Sequence, residues 1–295
     1  SVGLYGSNTK SSDVKGETTA VTSSLKAGGN MTRTATNSIT DVGTNIEAGG
    51  DFSQSAKTIT SKAAQNTTYA SSNSEKNEAK LGLYAEAGAS ASASANGSAG
   101  IGGAVSGTNT STSADAAAGI KASYENDKSS SSSSTSTAVV STIKAGGKVS
   151  STSSGKTSLE GTQINSGGDT ELNAGSLDYK AAANTSTSTS TDSKGQGELK
   201  VDIKLKSGSL GGGYETSTTK ESSSEAVVGG INAGGNLKIN TKGDTRLEGT
   251  QLSSGGDTSI TTGGNLKVDA ARNTQTSSTT GFNVEAEISG SKSKG

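Results

Sequence analysis

The segment Ser158–Thr170 reads SLEGTQINSGGDT, and it returns at Arg246–Thr258 as RLEGTQLSSGGDT. A looser copy, DVGTNIEAGGD, occupies Asp41–Asp51. Recurrence of this length indicates a repeat architecture, in which each unit buries its apolar face against the next unit. The repeat alone therefore restricts the fold to architectures built from stacked units.

The repeats keep a fixed period. The gap is 21 positions in three pairs of turn glycines: Gly28 and Gly49, Gly146 and Gly167, Gly234 and Gly255. Apolar residues of the last unit form two series with a step of eight, the second being the first shifted by 21: Ile231, Ile239, Leu247; Leu252, Ile260, Val268. A helical period of 3.6 does not produce these steps, whereas short strands joined by turns do.

A coil of about 21 residues with three short strands is one rung of a parallel β-helix. Stacked rungs place Ile231 over Leu252, Ile239 over Ile260 and Leu247 over Val268. Equivalent core positions of the middle unit are Leu159, Ile164 and Leu172. Such ladders form a narrow core, so the sequence predicts an all-β parallel β-helix despite its low apolar content.

Turn residues recur with the ladders. The predicted structural turns are Gly28, Gly29, Gly49, Gly50, Asp51, Gly146, Gly147, Gly167, Gly168, Asp169, Gly234, Gly235, Gly255, Gly256 and Asp257. We expect the glycines to supply positive φ and the aspartates to cap their own turns. Catalysis and calcium binding are the alternatives for the aspartates, but calcium-binding nonapeptides need Gly-Gly-x-Gly-x-Asp in tandem.

Composition bears on whether the chain is folded and on whether it binds nucleic acid. Hydrophobic residues make up 27% and aromatic residues 3% of the 295 residues, so disorder has to be weighed. The net charge of −1 and the absence of Pro argue against disorder, and a chain without Pro can keep its backbone N–H groups in ladders. The balanced charge also gives no footprint for nucleic acid.

Catalytic chemistry is poorly represented. The chain has no His and no Cys, which removes the commonest general base, thiolate nucleophiles and the usual metal ligands. A Ser triad needs His, no Ser–Lys pair stands out, and no carboxylate cluster suggests a polysaccharide hydrolase. The sequence predicts no enzyme, no catalytic, metal or cofactor residues, and no small-molecule substrate.

Between the repeats lie Ser/Thr-rich excursions that read as β-hairpins. Leu199, Val201, Ile203 and Leu205 alternate with polar residues, and a turn at Ser207–Gly208 would pair Val201 with Tyr214. Leu81, Leu83 and alternate alanines up to Ala95 suggest a second hairpin, turning at Asn96–Ser98 and pairing Ala93 with Ile101. Further arms are marked by Val2 and Leu4, by Ile120, Ala122 and Tyr124, and by Phe282, Val284, Ala286 and Ile288.

The apolar faces of these hairpins have two interpretations. An isolated hairpin is marginal in water, so each face can pack on the β-helix flank or on its neighbour. Alternatively, the faces contact a partner or a membrane, since a membrane-crossing strand needs roughly 9–11 residues. The candidate contact residues are Leu81, Leu83, Val201, Ile203, Leu205 and Tyr214.

The predicted organisation is one continuous repeat domain, a slice of a longer array. Its parts are the end of an excursion (1–24), rung pair 1 (25–66), a hairpin excursion (67–142), rung pair 2 (143–183), a second hairpin excursion (184–230), rung pair 3 (231–273) and the start of the next excursion (274–295). The first pair departs most, because Arg33 and Asp41 stand where later units have Ile239 and Leu247, and we expect an irregular rung there.

These motifs resemble the haemagglutinin repeats of filamentous haemagglutinins and of contact-dependent growth inhibition effectors. The residues that carry the resemblance are AGGNL at 233–237, LEGTQL at 247–252, SGGDT at 254–258 and VDAARNT at 268–274. The resemblance implies a right-handed parallel β-helix filament, secreted to the surface of a Gram-negative cell through an outer-membrane partner transporter.

The long Ser/Thr-rich excursions are most similar to the second repeat region of growth-inhibition effectors. That region is associated with carrying a C-terminal toxin across the target cell's outer membrane, so the resemblance implies a delivery segment that contacts this membrane or the cell surface. An adhesin segment that binds host or neighbouring cells, a passive filament spacer and a β-helix hydrolase are the alternatives.

Overall fold

The computed structural model describes residues 2–93, 110–204 and 206–292. The described residues form strands joined by turns, and none of them lies in a helix. Long and short strands follow a repeated order: one long strand, six short, two long, six short, two long, six short and one long. The short strands carry the repeated sequence, and the long strands are the excursions.

Strand bounds follow this order. The first long strand is β1 (Val2–Thr18), and the first short set is β2 (Ser24–Ala27), β3 (Met31–Thr34), β4 (Ser38–Val42), β5 (Asn45–Ala48), β6 (Phe52–Ala56) and β7 (Thr58–Lys62). The long strands β8 (Ala64–Ala93) and β9 (Thr110–Val139) precede the second set, β10 (Thr142–Ala145), β11 (Val149–Ser153), β12 (Lys156–Glu160), β13 (Gln163–Ser166), β14 (Thr170–Ala174) and β15 (Ser176–Lys180). The long strands β16 (Ala182–Asp202) and β17 (Ser207–Val227) precede the third set, β18 (Gly229–Ala233), β19 (Leu237–Thr241), β20 (Thr245–Glu248), β21 (Thr250–Ser254), β22 (Thr258–Thr262) and β23 (Leu266–Asp269). The last long strand is β24 (Thr274–Ser291).

Among the described residues, the short strands form three six-stranded parallel sheets around one core. The sheets run β2-β5-β10-β13-β18-β21, β3-β6-β11-β14-β19-β22 and β4-β7-β12-β15-β20-β23. Each rung contributes one strand to each sheet, so the short strands stack as a parallel β-helix. The predicted all-β fold class, with antiparallel excursions between pairs of rungs, is confirmed.

The stacking register joins equivalent repeat positions. Ile231 pairs with Leu252, Ile239 with Ile260 and Leu247 with Val268. Stacking also continues across an excursion, because Ile164 pairs with Ile231 although the whole β16–β17 hairpin separates them in sequence. The rungs therefore restack as if the excursion were absent.

Apolar ladder residues fill the interior. Six of them are at most 3% exposed: Leu159, Ile164, Leu172, Ile231, Ile239 and Leu247. Leu252 and Ile260 are partly buried against this cluster, and Val268 is 68% exposed. Val268 lies in the last rung of the described residues, where no further strand covers it.

The first rung has a polar interior but a regular backbone. Arg33 donates two hydrogen bonds to the Asp41 carboxylate, at 2.9 and 2.8 Å, and a third at 2.5 Å to Gln54. The Arg33 guanidinium also lies 5.4 Å from the centre of the Phe52 ring. β3 and β4 still pair in parallel with β6 and β7, so the expectation of an irregular rung is wrong. An internal ion pair replaces two apolar residues without shifting the ladder.

The stacked Gly-Gly turns require glycine because the turns of neighbouring rungs approach each other too closely for a side chain, and not because their φ is positive. A Cβ on Gly146 would lie 2.2 Å from the carbonyl oxygen of Gly49, and a Cβ on Gly234 would lie 2.3 Å from that of Gly167. Positive φ occurs, within the described residues, at Gly43, Gly161, Gly249 and Lys206. The expected positive φ at the Gly-Gly turns is therefore wrong, because rungs this close leave no room for a side chain between their turns.

The aspartates after these turns bond to the next rung. Asp51 Oδ1 accepts the backbone N–H of Lys148 at 2.7 Å, and Asp169 Oδ1 accepts that of Asn236 at 2.7 Å. Asn236 Oδ1 in turn accepts the N–H of Asp257 at 2.8 Å. The expectation that each aspartate caps its own turn is wrong for Asp51 and Asp169, because stacking brings the next rung's donor within reach of the side chain.

In the first rung of rung pairs 2 and 3 the chain turns at Glu-Gly-Thr, and in the second rung the excursion leaves from the equivalent position. Gly161 turns at φ 61° in the first rung of its pair, and a Cβ there would lie 2.8 Å from the Ala182 Cβ, where β16 leaves the next rung. Likewise, a Cβ on Gly249 would lie 2.3 Å from the Ala271 Cβ. The repeated LEGTQ segment therefore marks the corner at which the chain either continues or departs.

The long strands pair with one another in a separate six-stranded antiparallel sheet, β1-β8-β9-β16-β17-β24, which we call the excursion sheet. Neighbouring hairpins join edge to edge, since β9 pairs with β16 from Ser136–Thr185 to Gly119–Asp202. The excursions thus form one continuous surface rather than separate hairpins.

Both predicted hairpin registers are wrong. Val201 lies opposite Gly208, and Tyr214 lies opposite Gly195, so the ladder runs up to the pair Asp202–Ser207 and Ser207–Gly208 is not the turn. Ala93 lies opposite Thr110 instead of Ile101, and the predicted Asn96–Ser98 turn falls outside the described residues. Each hairpin leaves and rejoins the β-helix at fixed rung positions, so an unbroken ladder requires legs of equal length.

Candidate interaction surface

The excursion sheet has two chemically different faces. Directly opposite residues of antiparallel strands share a face, so the register defines rows across all six strands. We call four adjacent rows of one face the apolar band. Row one is Val2, Leu83, Ile120, Val201, Gly208 and Gly290; row two is Leu4, Leu81, Ala122, Leu199, Leu210 and Ile288. Row three is Gly6, Ala79, Tyr124, Gly197, Gly212 and Ala286; row four is Asn8, Asn77, Asn126, Gly195, Tyr214 and Val284.

The apolar band is open to solvent. The exposed fraction of its large apolar side chains runs from 40% for Val201 to 80% for Val2. None of the residues in its four rows carries a charge. Scattered exposed apolar residues are ordinary, but a contiguous patch of this kind marks an interaction site.

The band is held away from the β-helix. β16 leaves the rung at Ala182 and reaches row two at Leu199, a path of roughly 55 Å at about 3.3 Å per residue. The intervening part of the sheet is rich in Ser and Thr, whose hydroxyls bond across strands, as Thr191 does with Thr218 at 3.1 Å and Ser193 with Thr216 at 3.0 Å. A polar stem therefore separates the band from the scaffold.

The opposite face of the same segment is ionic. Lys121 and Glu198 form an ion pair at 2.8 Å, and Lys194 and Glu125 form another at 2.5 Å. These side chains alternate along their strands with the band residues, so they point to the other side of the sheet. The distal sheet is amphipathic, with an apolar face backed by a charged one.

Glu78 is the most strongly perturbed acid on this charged face. Its carboxylate accepts hydrogen bonds from Lys76 at 2.5 Å and from the Tyr5 hydroxyl at 2.9 Å, and Lys80 lies at 3.3 Å. Hydrogen bonds from Lys76, then Tyr5 and Lys80, lower the pKa of Glu78 to about 2. The carboxylate is therefore ionised throughout the neutral range, and this face stays charged.

A repeated asparagine secures the base of the sheet. The Oδ1 atoms of Asn66, Asn184 and Asn273 accept the backbone N–H of Ala20, Ala138 and Ala226 respectively, each at 2.8 Å. Each asparagine stands where the chain leaves a rung and holds the returning leg of the preceding excursion. The sequence marks these positions by the recurring motif Ala-Ala-x-Asn. The motif alone does not reveal the role of its asparagine, because the backbone N–H that the side chain binds belongs to another repeat unit.

Tyr179 anchors the base of the β16–β17 hairpin. Its side chain is fully buried, and its hydroxyl donates to the carbonyl of Thr162. Burial raises the pKa of this phenol, so it remains a neutral donor. A Cβ on Gly229, where the chain returns to the β-helix, would lie 2.5 Å from the Tyr179 ring. Glycine at the re-entry point therefore makes room for the anchor.

The structure brings most of the candidate contact residues together. Leu81, Leu83, Val201 and Tyr214 lie in the apolar band, with exposed fractions between 40% and 59%. Ile203 lies in the turn after β16 rather than on a strand face, and Leu205 lies outside the described residues.

The candidate list omits much of the band. Leu4, Ile120, Leu199, Leu210, Phe282 and Ile288 are exposed on the same face, in the band or beside it. Their alternation marks each arm as amphipathic, but only the lateral pairing shows that the arms share one surface.

Across the described ranges, no group of three or more His, Cys, Asp or Glu side chains could hold a metal ion. No helix long and apolar enough to cross a membrane occurs in the part of the chain that the structure describes.

Comparison with known proteins gives a consistent result. The family model described as "Hemagglutinin repeat" matches residues 4–123 and 120–279. A curated protein described as "Hemolysin" from Serratia marcescens is 32% identical over 161 residues, which cover 52% of this chain and 10% of that relative. No solved structure matches the chain. The two family matches together span nearly all of the rungs and excursions described above.

Proposed function

The chain belongs to the haemagglutinin repeat family, and from that premise we propose that it is a scaffold segment that helps deliver a C-terminal toxin across a target cell's outer membrane. Family membership and the haemolysin relative imply a segment of a two-partner-secreted exoprotein at or beyond the cell surface. In the proposed system, contact-dependent growth inhibition, an outer-membrane partner transporter exports the protein and the excursion sheet meets the target membrane.

The apolar band carries this proposal. A passive spacer needs only the rungs, whereas this chain holds a contiguous apolar face roughly 55 Å along its strands from the scaffold. Its four uncharged rows at about 6.7 Å, the fourth mixed because it holds Asn8, Asn77 and Asn126 beside Tyr214 and Val284, span roughly 25 Å with their side chains, close to the height of the apolar band of membrane-crossing strands. Tyr214 and Phe282 lie at the polar end of the band, where aromatic side chains bridge apolar and aqueous surroundings.

An adhesin segment is the second candidate. The Ser/Thr-rich stem offers many hydroxyl groups that can bind a glycan or protein on a host or neighbouring cell, and Tyr69 is 53% exposed on it. In that case the stem carries the activity, and the apolar band does not.

The test removes one hairpin from the full-length protein that carries this segment. Residues 182–227 are deleted so that 181 joins 228, which the structure permits because Ala182 and Val227 are directly opposite each other. Surface display and target-cell inhibition are then scored separately. We expect normal display, because β13 and β18 stack directly, and loss of inhibition, because the band is cut in two.

The matched control keeps the band and exchanges one ion pair on the other face, Lys121→Glu with Glu198→Lys. This control should retain both display and inhibition. Normal inhibition after the deletion would contradict a delivery role for this hairpin. Lost cell adhesion in the deletion variant, with delivery intact once contact is enforced, would favour the adhesin candidate.

A further inference from the structure

The apolar band faces water as soon as the excursion sheet forms. Its four rows are uncharged and its large side chains are 40–80% exposed, so burial of the band would release free energy. We propose that two copies of this chain associate face to face through the apolar band. This goes beyond membrane delivery, because it assigns the cover of the band before any target membrane is met.

The size of the band fits a stable protein interface. Six strands about 4.8 Å apart and four rows about 6.7 Å apart cover roughly 700 Å². Specific interfaces of standard size bury about 800 Å² on each partner. One copy of the same band therefore supplies enough area, and no further protein is required.

The relief of the band is self-complementary. Row two is a ridge of Leu4, Leu81, Leu199 and Leu210 with a gap at Ala122, whereas row three is low at Gly6, Ala79, Gly197 and Gly212 and raised at Tyr124. A trough of about 620 Å³ runs between them and is lined by residues of both rows. Sheets that pack face to face interdigitate ridges and grooves at about 10 Å. In the proposed dimer, a two-fold axis runs parallel to the rows and lies between rows two and three. This axis places row two of each copy over row three of the other copy, so that each ridge enters the opposing trough.

Charge also favours this pairing. The apolar band has no charged residue to desolvate, and the ionic residues Lys121, Glu198, Lys194 and Glu125 remain on the outer face of each copy. Lys10, Glu75 and Lys128 lie in the next row towards the stem, and in this arrangement Glu75 and Lys128 face the continuation of β8 and β9 beyond row one of the opposing copy. The pair therefore buries four uncharged rows and keeps the ions of the outer face in water, while Glu75 and Lys128, an ion pair at 3.6 Å, lie at the margin of the contact.

Sedimentation equilibrium of the 295-residue chain tests the association. We expect a concentration-dependent monomer–dimer equilibrium. The variant Leu81→Asp with Leu199→Asp should raise the dissociation constant by at least about a hundredfold, because it places charges at the centre of the interface. The matched control, Ser123→Asp with Ser209→Asp, adds the same charges to the opposite face and should leave the constant within about threefold. Circular dichroism verifies that both variants retain their sheet.

Site-specific cross-linking locates the contact. The chain has no native Cys, so a single introduced thiol reports one position. Leu210→Cys should cross-link between copies with a short bis-maleimide, and Ser209→Cys, on the neighbouring residue but the other face, should not.

Three outcomes would overturn the proposal. The first is a wild-type chain that stays monomeric at all accessible concentrations, and the second is association that both double variants change equally. The third is a monomer that co-floats with phosphatidylethanolamine–phosphatidylglycerol vesicles through the band, which would make lipid its cover. None of these outcomes depends on target-cell inhibition, so failure here and failure of the delivery proposal are distinguishable.

Discussion

At the scale of single residues, the repeat is maintained by close approach between turns. The first glycine of each Gly-Gly pair that stacks on an earlier rung leaves room for the carbonyl of that rung, and Gly50, Gly147, Gly235 and Gly256 leave room for an Asn or Asp side chain. A Cβ on Gly147 would lie 2.0 Å from Asp51 Oδ1, the atom that accepts the N–H of Lys148. The turn sequence is thus constrained by the neighbouring rung rather than by its own backbone angles.

This constraint predicts unequal effects of the same substitution. Gly146→Ala should lower the free energy of unfolding by about 1–3 kcal/mol, because the new methyl group meets the Gly49 carbonyl and the rungs must separate. Gly28→Ala should change it by less than about 0.5 kcal/mol, because a Cβ there meets no atom within 4 Å. Urea unfolding followed by circular dichroism measures both, and equal losses would contradict the stacking explanation.

At the scale of strands and hairpins, the position of each turn is decided at the base of the hairpin. β16 and β17 have 21 residues each, and so their turn falls midway between Ala182 and Val227. β8 and β9 have 30 residues each and obey the same rule. The tight turn proposed at Ser207–Gly208 would displace the legs by several residues and leave backbone groups unpaired at the base.

Introduced cysteine pairs test this register. Leu199→Cys with Leu210→Cys should form a disulfide readily under mild oxidation, because the two residues are directly opposite. Val201→Cys with Tyr214→Cys, the pair favoured by the local turn signal, should remain reduced, because the two strands place these residues well out of reach. The extent of cross-linking is measured by mass spectrometry after proteolysis. A disulfide in the second variant alone would mean that the hairpin slips in solution.

At the scale of the whole molecule, the β-helix is one scaffold that the excursions do not interrupt. β5 stacks on β10 and β13 on β18, in each case across a complete hairpin. The scaffold fixes the order and spacing of the long strands, and these strands then pair laterally into a single sheet. Disruption of the core should therefore propagate to the excursion sheet.

The core substitution Leu247→Asp tests this dependence. Leu247 is 2% exposed, and an unpaired buried carboxylate there should cost about 3–5 kcal/mol. Leu266→Asp is the control, because Leu266 is 50% exposed on the last described rung and should lose far less stability. Thermal unfolding and sheet content are measured for both variants. Unchanged melting of the first variant would show that the assigned stacking of Leu247 is incorrect.

The sequence alone determined the repeat, the pairs of stacked core residues and the presence of amphipathic excursions. These features are readable because stacked rungs must present matching turns and matching inward residues, which leaves a period in the sequence. The pairings of Ile239 with Ile260 and of Leu247 with Val268 follow from that period alone.

Only the tertiary structure decided the hairpin registers, the reason for each turn glycine and the shared face of the arms. Local turn preferences at Ser207–Gly208 are outweighed by the many hydrogen bonds of a ladder that starts at Ala182 and Val227. Leu4 and Ile288 belong to one row only because four other strands lie between them. Such relations join residues from different units, and no local segment encodes the distance between them.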